Sequence, residues 1–155
     1  MIFACSASSI DALRLLNMSL FPVQYPKSFY RGILKDPRLC HYARCDDTLV
    51  GAIVVQRERD KKRQPTTCME VALIGVLALY RRRGIGRQLM AEVTWVLRTE
   101  VDLAAEIRSI CLHVHVVNTE AQSFYASLGF TVAGEVDGYY PRLSPTTALK
   151  LRLAL

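Results

Sequence analysis

The segment that most constrains the fold is VALIGVLALYRRRGIGRQLM, residues 71–90. Its first part, Val71 to Leu79, is short, apolar and rich in β-branched residues, which is typical of a buried strand. From Gly86 onward, apolar residues recur at helical spacing, at Leu89, Val93, Val96 and Leu97. A basic turn with two glycines lies between these two parts. Strand, glycine-containing turn and helix is the order of elements found in phosphate-binding sites.

Gly84 and Gly86 allow the backbone of this turn to approach a ligand closely or to adopt a positive φ, because neither has a Cβ. The first amides of the following helix have no intrahelical acceptor, and the helix dipole is positive there, so an anion is stabilised. Arg81, Arg82, Arg83 and Arg87 add full charges. The spacing alone predicts either a pyrophosphate site or a solvated basic turn, since the complete dinucleotide and phosphate-loop motifs are absent.

Composition predicts one globular domain over residues 1–155, with 51% hydrophobic and 22% charged residues. No apolar run approaches the roughly 20 residues of a membrane span, and the first residues lack the basic segment of a signal peptide. We therefore expect a cytoplasmic protein without a membrane partner.

Five cysteines without a C-x-x-C pair favour reduced thiols. CHYARC, from Cys40 to Cys45, has no second ligand pair of matching spacing, so no metal site is predicted.

The formal net charge is +6, and the basic residues form two groups, the turn above and RERDKKR, Arg57 to Arg63. The second group is predicted to be a hairpin tip. It is either a solvated turn or a surface that steers the protein to RNA-rich particles such as a ribosome. Aromatic residues are not interleaved with it, so sequence-specific nucleic-acid binding is not predicted.

Periodicity and turn residues predict alternating helices and strands in the order β-α-α-β-β-β-α-β-α-β-β. Strands are expected near residues 2–5, 39–44, 49–57, 67–77, 110–117, 130–136 and 148–153. Helices are expected near residues 8–20, 27–35, 86–99, 102–107 and 119–128. Ser8 or Ser9 is the expected cap of the first helix, Asn118 or Thr119 is the expected cap of the last one, and Gly129 ends that helix. This order implies a mixed sheet in an α/β layered domain.

Two motifs in this order resemble those of the GNAT acetyltransferase superfamily. RRRGIG, from Arg81 to Gly86, fits Q/R-x-x-G-x-G/A, and NTEAQSFYASLGF, from Asn118 to Phe130, fits N-x-x-A-x-x-F-Y-x-x-x-G-F. FPVQYPKSFY, GYYPRLSP and LHV are similar to the substrate loops and catalytic strand of NatE-type amino-terminal acetyltransferases. The resemblance covers nearly the whole chain. It implies the GNAT fold, an α/β fold with a mixed, mostly antiparallel central sheet flanked by helices.

The resemblance implies acetyl-coenzyme A as cosubstrate. Its implied binding residues are Ile74, Gly75, Val76, Arg81, Arg82, Arg83, Gly84, Ile85, Gly86, Arg87, Asn118, Ala121 and Tyr125. A backbone amide near Ile74 or Gly75 would stabilise the oxyanion, and Tyr125 would act as acid for the leaving thiolate. From the residues alone, Gly75 indicates either a bulge or close packing, and Tyr125 is equally compatible with a core position.

His113 matches a catalytic histidine of the resembling enzymes, whereas Glu70 stands where they have a catalytic tyrosine. We interpret Glu70 and His113 as a shared base for the attacking amine. The alternative is a solvated glutamate at a strand edge and a histidine that faces a groove. The implied substrate-binding residues are Phe21, Pro22, Val23, Tyr25, Ala72, His113, Tyr139 and Tyr140. Ala72 replaces a methionine of the resembling pocket, which leaves the preferred second residue of the substrate open.

These features favour an enzyme that acetylates the amino termini of proteins beginning with Met followed by an apolar residue. It would act as a monomer or within a larger ribosome-associated acetyltransferase complex. Two other interpretations remain. One is a GNAT enzyme for lysine or a small amine, and the other is a weakly active accessory subunit that binds coenzyme A.

Overall fold

A computed structural model describes residues 1–21, 24–58 and 66–155. In chain order its strands and helices are β1 (Ile2–Ala4), α1 (Ile10–Leu20), α2 (Lys27–Lys35), β2 (Cys40–Cys45), β3 (Thr48–Arg57), β4 (Cys68–Val76), α3 (Ile85–Thr99), α4 (Val101–Glu106), β5 (Ser109–His115), α5 (Thr119–Ala126), β6 (Thr131–Val136) and β7 (Ala148–Ala154). This order matches the predicted one, except that the further helical stretch expected near residues 102–107 forms a separate helix, α4. The substrate-loop residues Pro22 and Val23 and most of the predicted hairpin tip lie outside the described residues.

The strands within these ranges form a seven-stranded sheet in the order β1-β2-β3-β4-β5-β7-β6. The β1–β2, β2–β3, β5–β7 and β6–β7 pairs are antiparallel, whereas β4 and β5 are parallel. At one end of β4, the Leu77 amide donates a 2.8 Å hydrogen bond to the Val50 carbonyl. The predicted mixed, mostly antiparallel α/β sheet of the GNAT fold is confirmed.

The chain forms two compact units. The first comprises Met1–Gln56 and Val71–Ala104, and the second comprises Arg57–Glu70 and Ala105–Leu155. Whether they act as the one domain expected from composition stays a prediction.

In the first unit, α1 and α2 bury apolar residues at helical spacing, including Leu13, Leu16, Tyr30 and Ile33. The helix α1 starts directly after Ser9, one of the two predicted cap residues, and Ala7–Ser9 form a separate 3₁₀ turn before it. Ser9 occupies the cap position but does not cap α1 with its side chain. Its hydroxyl instead donates to the Ser6 carbonyl and accepts from the Ser6 amide, each at 2.9 Å.

In the second unit, the last four residues of β5 alternate between a buried and a half-buried face. Leu112 and Val114 are buried on one side, and His113 and His115 point to the other, as the sequence predicts. The strand ends at His115 rather than Val117, because the Asn118 amide turns back to the His115 carbonyl at 2.9 Å. The two histidines therefore lie at the end of a strand that is anchored on its apolar face.

Among the helices in the described ranges, none combines the length and the apolar character needed to span a bilayer.

Candidate active site

The glycine loop of the first unit has the backbone geometry that its sequence predicts. Gly84 precedes α3 with φ of +78°, in the left-handed region that a side chain disfavours. A Cβ at this position would have no heavy atom within 4 Å, so the backbone there is open on its outer side. The amides of Ile85 and Gly86 at the start of α3 have no intrahelical acceptor. The loop therefore presents backbone donors at the positive end of a 15-residue helix.

The arginines of this loop are exposed, and the side chains of two of them also stabilise its conformation. The Arg81 side chain donates through Nε to the Val76 carbonyl at 3.0 Å. The Arg83 guanidinium lies 5.5 Å above the ring of Tyr80. Arg82 adopts a positive φ of 62°, which indicates a sharply turned backbone. The loop is thus a basic, exposed turn of defined shape, suited to a polyanion such as a pyrophosphate.

The second unit brings the two predicted base residues together. Glu70 lies in β4 and His113 in β5, and the distance from His113 Nδ1 to Glu70 Oε1 is 3.2 Å. Their side chains are 18% and 12% exposed, so the pair is partly buried and still accessible. Because a carboxylate only accepts hydrogen bonds, the histidine donates from Nδ1, and Nε2 of the neutral ring is left as an acceptor. The pair can therefore take up a proton at Nε2.

The loop between β6 and β7 packs its tyrosines against the same histidine. The Tyr139 ring stacks on the His113 ring, with centroids 4.2 Å apart and an interplanar angle of 15°. Tyr140 donates from its hydroxyl to the His113 carbonyl at 3.3 Å. His115, the next residue on this face, contacts the Pro145 carbonyl through Nε2 at 2.6 Å. The loop thereby fixes the position of His113 on two sides.

The NTEAQSFYASLGF motif forms α5 in the second unit. Asn118, one of the two predicted cap residues, caps the helix by accepting a hydrogen bond from the Ala121 amide at 3.0 Å. Tyr125 packs edge-on against Phe124 and Phe130, with centroids 5.2 and 5.6 Å from its own. Burial raises the pKa of the Tyr125 phenol well above its ordinary value. The phenol therefore stays protonated near neutral pH and can donate its hydrogen in a hydrogen bond.

Aromatic residues cluster around the predicted substrate loop of the first unit. The Tyr25 hydroxyl donates to the Ala72 carbonyl at 3.4 Å, and burial raises its pKa. The Tyr25 ring stacks on Phe29 at 4.5 Å and meets Phe21 edge-on at 6.4 Å. Sequence reasoning did not single out Phe29, which lies in the first turn of α2, four residues after Tyr25.

Gly75 in β4 lies against this aromatic cluster. A Cβ on Gly75 would come within 2.9 Å of both Leu20 Cδ1 and Phe21 Cζ. Close packing against the aromatic loop therefore explains the glycine. Ile74 and Val76 are half-buried on either side of it. The role of these three residues toward the coenzyme stays a prediction.

The predicted site residues thus fall into two groups, one in each compact unit. The first unit holds the glycine loop, Phe21, Tyr25 and Ala72, and it joins Phe21 to Tyr25 and Tyr25 to Ala72. The second holds Glu70, His113, Tyr125 and the two loop tyrosines, and it joins His113 to Glu70, Tyr139 and Tyr140.

Comparison with known proteins agrees with this geometry. Residues 10–130 match the model of the Acetyltransferase (GNAT) family. The chain is 32% identical over 149 residues to N-alpha-acetyltransferase 50 of Danio rerio, covering 95% of this chain and 83% of that one. It is 29% identical to the probable N-acetyltransferase san of Drosophila melanogaster, covering 95% and 76%.

A solved structure with the same fold is Arabidopsis thaliana Naa50 in complex with the bisubstrate analogue CoA-Ac-MVNAL. The TM-score is 0.81 at 26% identity, with 100% of this chain and 98% of that chain covered. The motifs, the sheet and these similarities agree, and the chain belongs to the GNAT acetyltransferase family.

Proposed function

We propose that this protein acetylates the α-amino group of proteins that begin with Met followed by an apolar residue, using acetyl-coenzyme A. Its relatives are named amino-terminal acetyltransferases, and the analogue bound to the Arabidopsis protein joins coenzyme A to a peptide that begins Met-Val. The observation that carries the proposal is the contact of His113 with both Glu70 and Tyr139. It unites the expected base with a residue of the expected peptide-binding loop.

The reaction requires an uncharged amine, since an ammonium has no lone pair with which to attack a thioester. An α-amino group has a pKa of about 7.7–8.0, against about 10.4 for a lysine side chain. That difference, about 2.5 units or roughly 3.4 kcal/mol, makes the amino terminus much the easier group to deprotonate. A base of moderate strength is therefore enough for amino-terminal transfer near neutral pH.

In this proposal His113 accepts the amine proton at Nε2, directly or through one water. Glu70 accepts the hydrogen bond from Nδ1 and stabilises the imidazolium that forms, while stacking on Tyr139 fixes the plane of the ring. The 3.2 Å contact between Glu70 and His113 supports this division of roles. It also supports a carboxylate as the replacement for the tyrosine of the resembling enzymes.

Acetyl-coenzyme A supplies the activated acetyl group as a thioester. The start of α3 and the loop arginines would bind its pyrophosphate, and the open backbone at Gly84 supports that role. The amide of Ile74 or Gly75 would donate to the oxyanion of the tetrahedral intermediate. Tyr125 would donate a hydrogen bond to the leaving sulfur, a role for which its raised pKa keeps it protonated. Asn118 and Ala121 would support the coenzyme at the start of α5.

The peptide would be held by the aromatic loops. Phe21, Pro22, Val23 and Tyr25, with Ala72, would form an apolar pocket for the initiator methionine, while Tyr139 and Tyr140 would hold the peptide backbone. The packing of Tyr25 on Phe29 supports a preformed wall for that pocket. We further propose that the protein works in the cytoplasm, alone as a monomer or with a larger acetyltransferase complex at the ribosome, consistent with its net charge of +6.

The test is release of free thiol from acetyl-coenzyme A with the purified protein and a peptide panel. The panel contains peptides that begin Met-Leu, Met-Ile, Met-Lys, Ser and an acidic residue, and an amino-blocked lysine peptide. We expect turnover only with the free Met-apolar peptides. Turnover on the blocked lysine peptide would contradict the proposal in favour of a lysine acetyltransferase, and coenzyme binding without turnover would favour an accessory subunit.

A further inference from the structure

The second unit contains a buried group of two thiols and a carboxylate that acetyl transfer does not use. Cys68 begins β4, Cys111 lies at the centre of β5, and Glu58 directly follows β3. One ligand atom from each of the three side chains lies within 4.8 Å of the other two. The cysteines are 4% and 0% exposed, whereas the Glu58 side chain is 19% exposed. The group is thus shielded by the fold and reachable from the carboxylate side.

Strand register holds these three residues together. In the parallel β4–β5 ladder Cys68 is opposite Ser109, and Glu70 is opposite Cys111. Since Ser109 and Cys111 are two residues apart, the two cysteines are diagonal neighbours on one face of the sheet. The Glu58 amide donates to the Cys68 carbonyl at 3.0 Å, which places the carboxylate beside them. The group is therefore built into the sheet rather than assembled by a flexible loop.

We propose that Glu58, Cys68 and Cys111 bind a thiophilic divalent cation, for which Zn²⁺ is the best match. Two thiolates select zinc over magnesium or calcium, and a carboxylate oxygen is a common third ligand. Tetrahedral coordination at about 2.3 Å from each sulfur places the two sulfurs roughly 3.8 Å apart, which is compatible with the observed spacing. Water would occupy the fourth position.

Binding requires that the ion replace the two thiol protons, which leave to solvent, so that two thiolates and one carboxylate coordinate the metal. Two thiolates, one carboxylate and Zn²⁺ sum to a charge of −1. Lys150, which bonds to Glu58, and Arg152, which is opposite Cys111 in the β5–β7 ladder, offset this charge. A carboxylate has two oxygens, so Glu58 can coordinate with one and accept from Lys150 with the other.

The experiment is a titration of Co²⁺ into metal-free protein kept reduced with a phosphine, followed by displacement with Zn²⁺. We expect one Co²⁺ per chain, with a thiolate-to-cobalt charge-transfer band and the visible bands of tetrahedral Co²⁺, all lost on adding Zn²⁺. Cys68→Ser and Cys111→Ser should abolish the charge-transfer band. Glu58→Gln, at a partly exposed position where it should not disturb folding, should weaken Co²⁺ binding about tenfold.

Cys45→Ser is the matched control, since Cys45 is an exposed cysteine in β2. Cys40→Ser tests the buried thiol that lies beside Cys5 in the first unit. Both control variants should keep the full charge-transfer band. The proposal is overturned if wild-type protein gives no such band, if the band survives in Cys68→Ser, if Glu58→Gln binds Co²⁺ as tightly as wild type, or if Cys45→Ser or Cys40→Ser removes it.

Discussion

The glycine loop and the Glu70–His113 pair are built in opposite ways. The loop, from Arg81 to Arg87, is contiguous in sequence, and its donors are backbone amides shaped by the positive φ of Gly84. The pair joins side chains 43 residues apart, brought to 3.2 Å by two neighbouring strands. A backbone site should tolerate changes to its side chains but not to its glycine, whereas a side-chain site should lose activity with one substitution. The following predictions test this difference.

The largest effect is expected from His113→Ala, because it removes the group that accepts the amine proton. We expect kcat to fall by about 100-fold, the lower range for loss of a general base, with little change in coenzyme affinity. His115→Ala is the matched control, since His115 lies on the same face two residues further along β5. A kcat within twofold of wild type for His113→Ala would remove His113 from the mechanism.

Glu70→Gln should have the next largest effect. Glutamine can still accept a hydrogen bond from His113 but carries no charge, so it stabilises the imidazolium less. We expect kcat to fall about tenfold at unchanged KM for the peptide, a loss of roughly 1.4 kcal/mol of transition-state stabilisation. Glu135→Gln, on an exposed part of β6, is the control and should leave kcat and the KM for the peptide unchanged. Equal turnover in the two variants would show that His113 works without Glu70.

The two regions also differ in how well the sequence predicts them. Local patterns located the loop, the start of α3 within one residue and the Asn118 cap, because strand and helix periodicity and turn residues act over short distances. The Glu70–His113 pair was predicted only through the family resemblance. No local pattern indicates which residues of β4 and β5 face each other, since that depends on strand register.

Other contacts that depend on register or on a long loop were not predicted. The stacking of Tyr139 on His113 requires the turn between β6 and β7 to fold back over β5. The group of Glu58, Cys68 and Cys111 was missed for the same reason, since its members are separated by strands and loops and form no motif. The Ser9 side chain does not cap α1 as predicted, because the Ser6 amide and carbonyl engage its hydroxyl locally.

Gly84→Ala should disrupt the backbone of the loop, whereas substitutions of the loop's side chains should not. A Cβ at a φ of +78° costs about 1–2 kcal/mol, so we expect the free energy of unfolding to fall by about 1 kcal/mol and coenzyme A to bind about fivefold more weakly. Gly32→Ala is the matched control. It lies within α2 with no heavy atom within 4 Å of a Cβ, so the same substitution should stabilise the protein by about 0.5–1 kcal/mol.

These opposite signs are measured by urea unfolding, and the affinity by calorimetric titration with coenzyme A. If Gly84→Ala is as stable as wild type and binds coenzyme A equally well, the left-handed turn is not needed for the site.

The smallest effect is expected from Arg82→Gln. Arg82 is one of four arginines around the loop and is exposed, so solvent and salt screen its charge, and such a charge near a helix start contributes about 0.3–1 kcal/mol. We expect coenzyme A to bind two- to fivefold more weakly at low salt, with the difference shrinking as salt is added.

Arg31→Gln, on the exposed side of α2, is the control and should leave the affinity unchanged. A loss of tenfold or more that persists at high salt would mean that a specific guanidinium contact, and not the backbone of the loop, holds the phosphates.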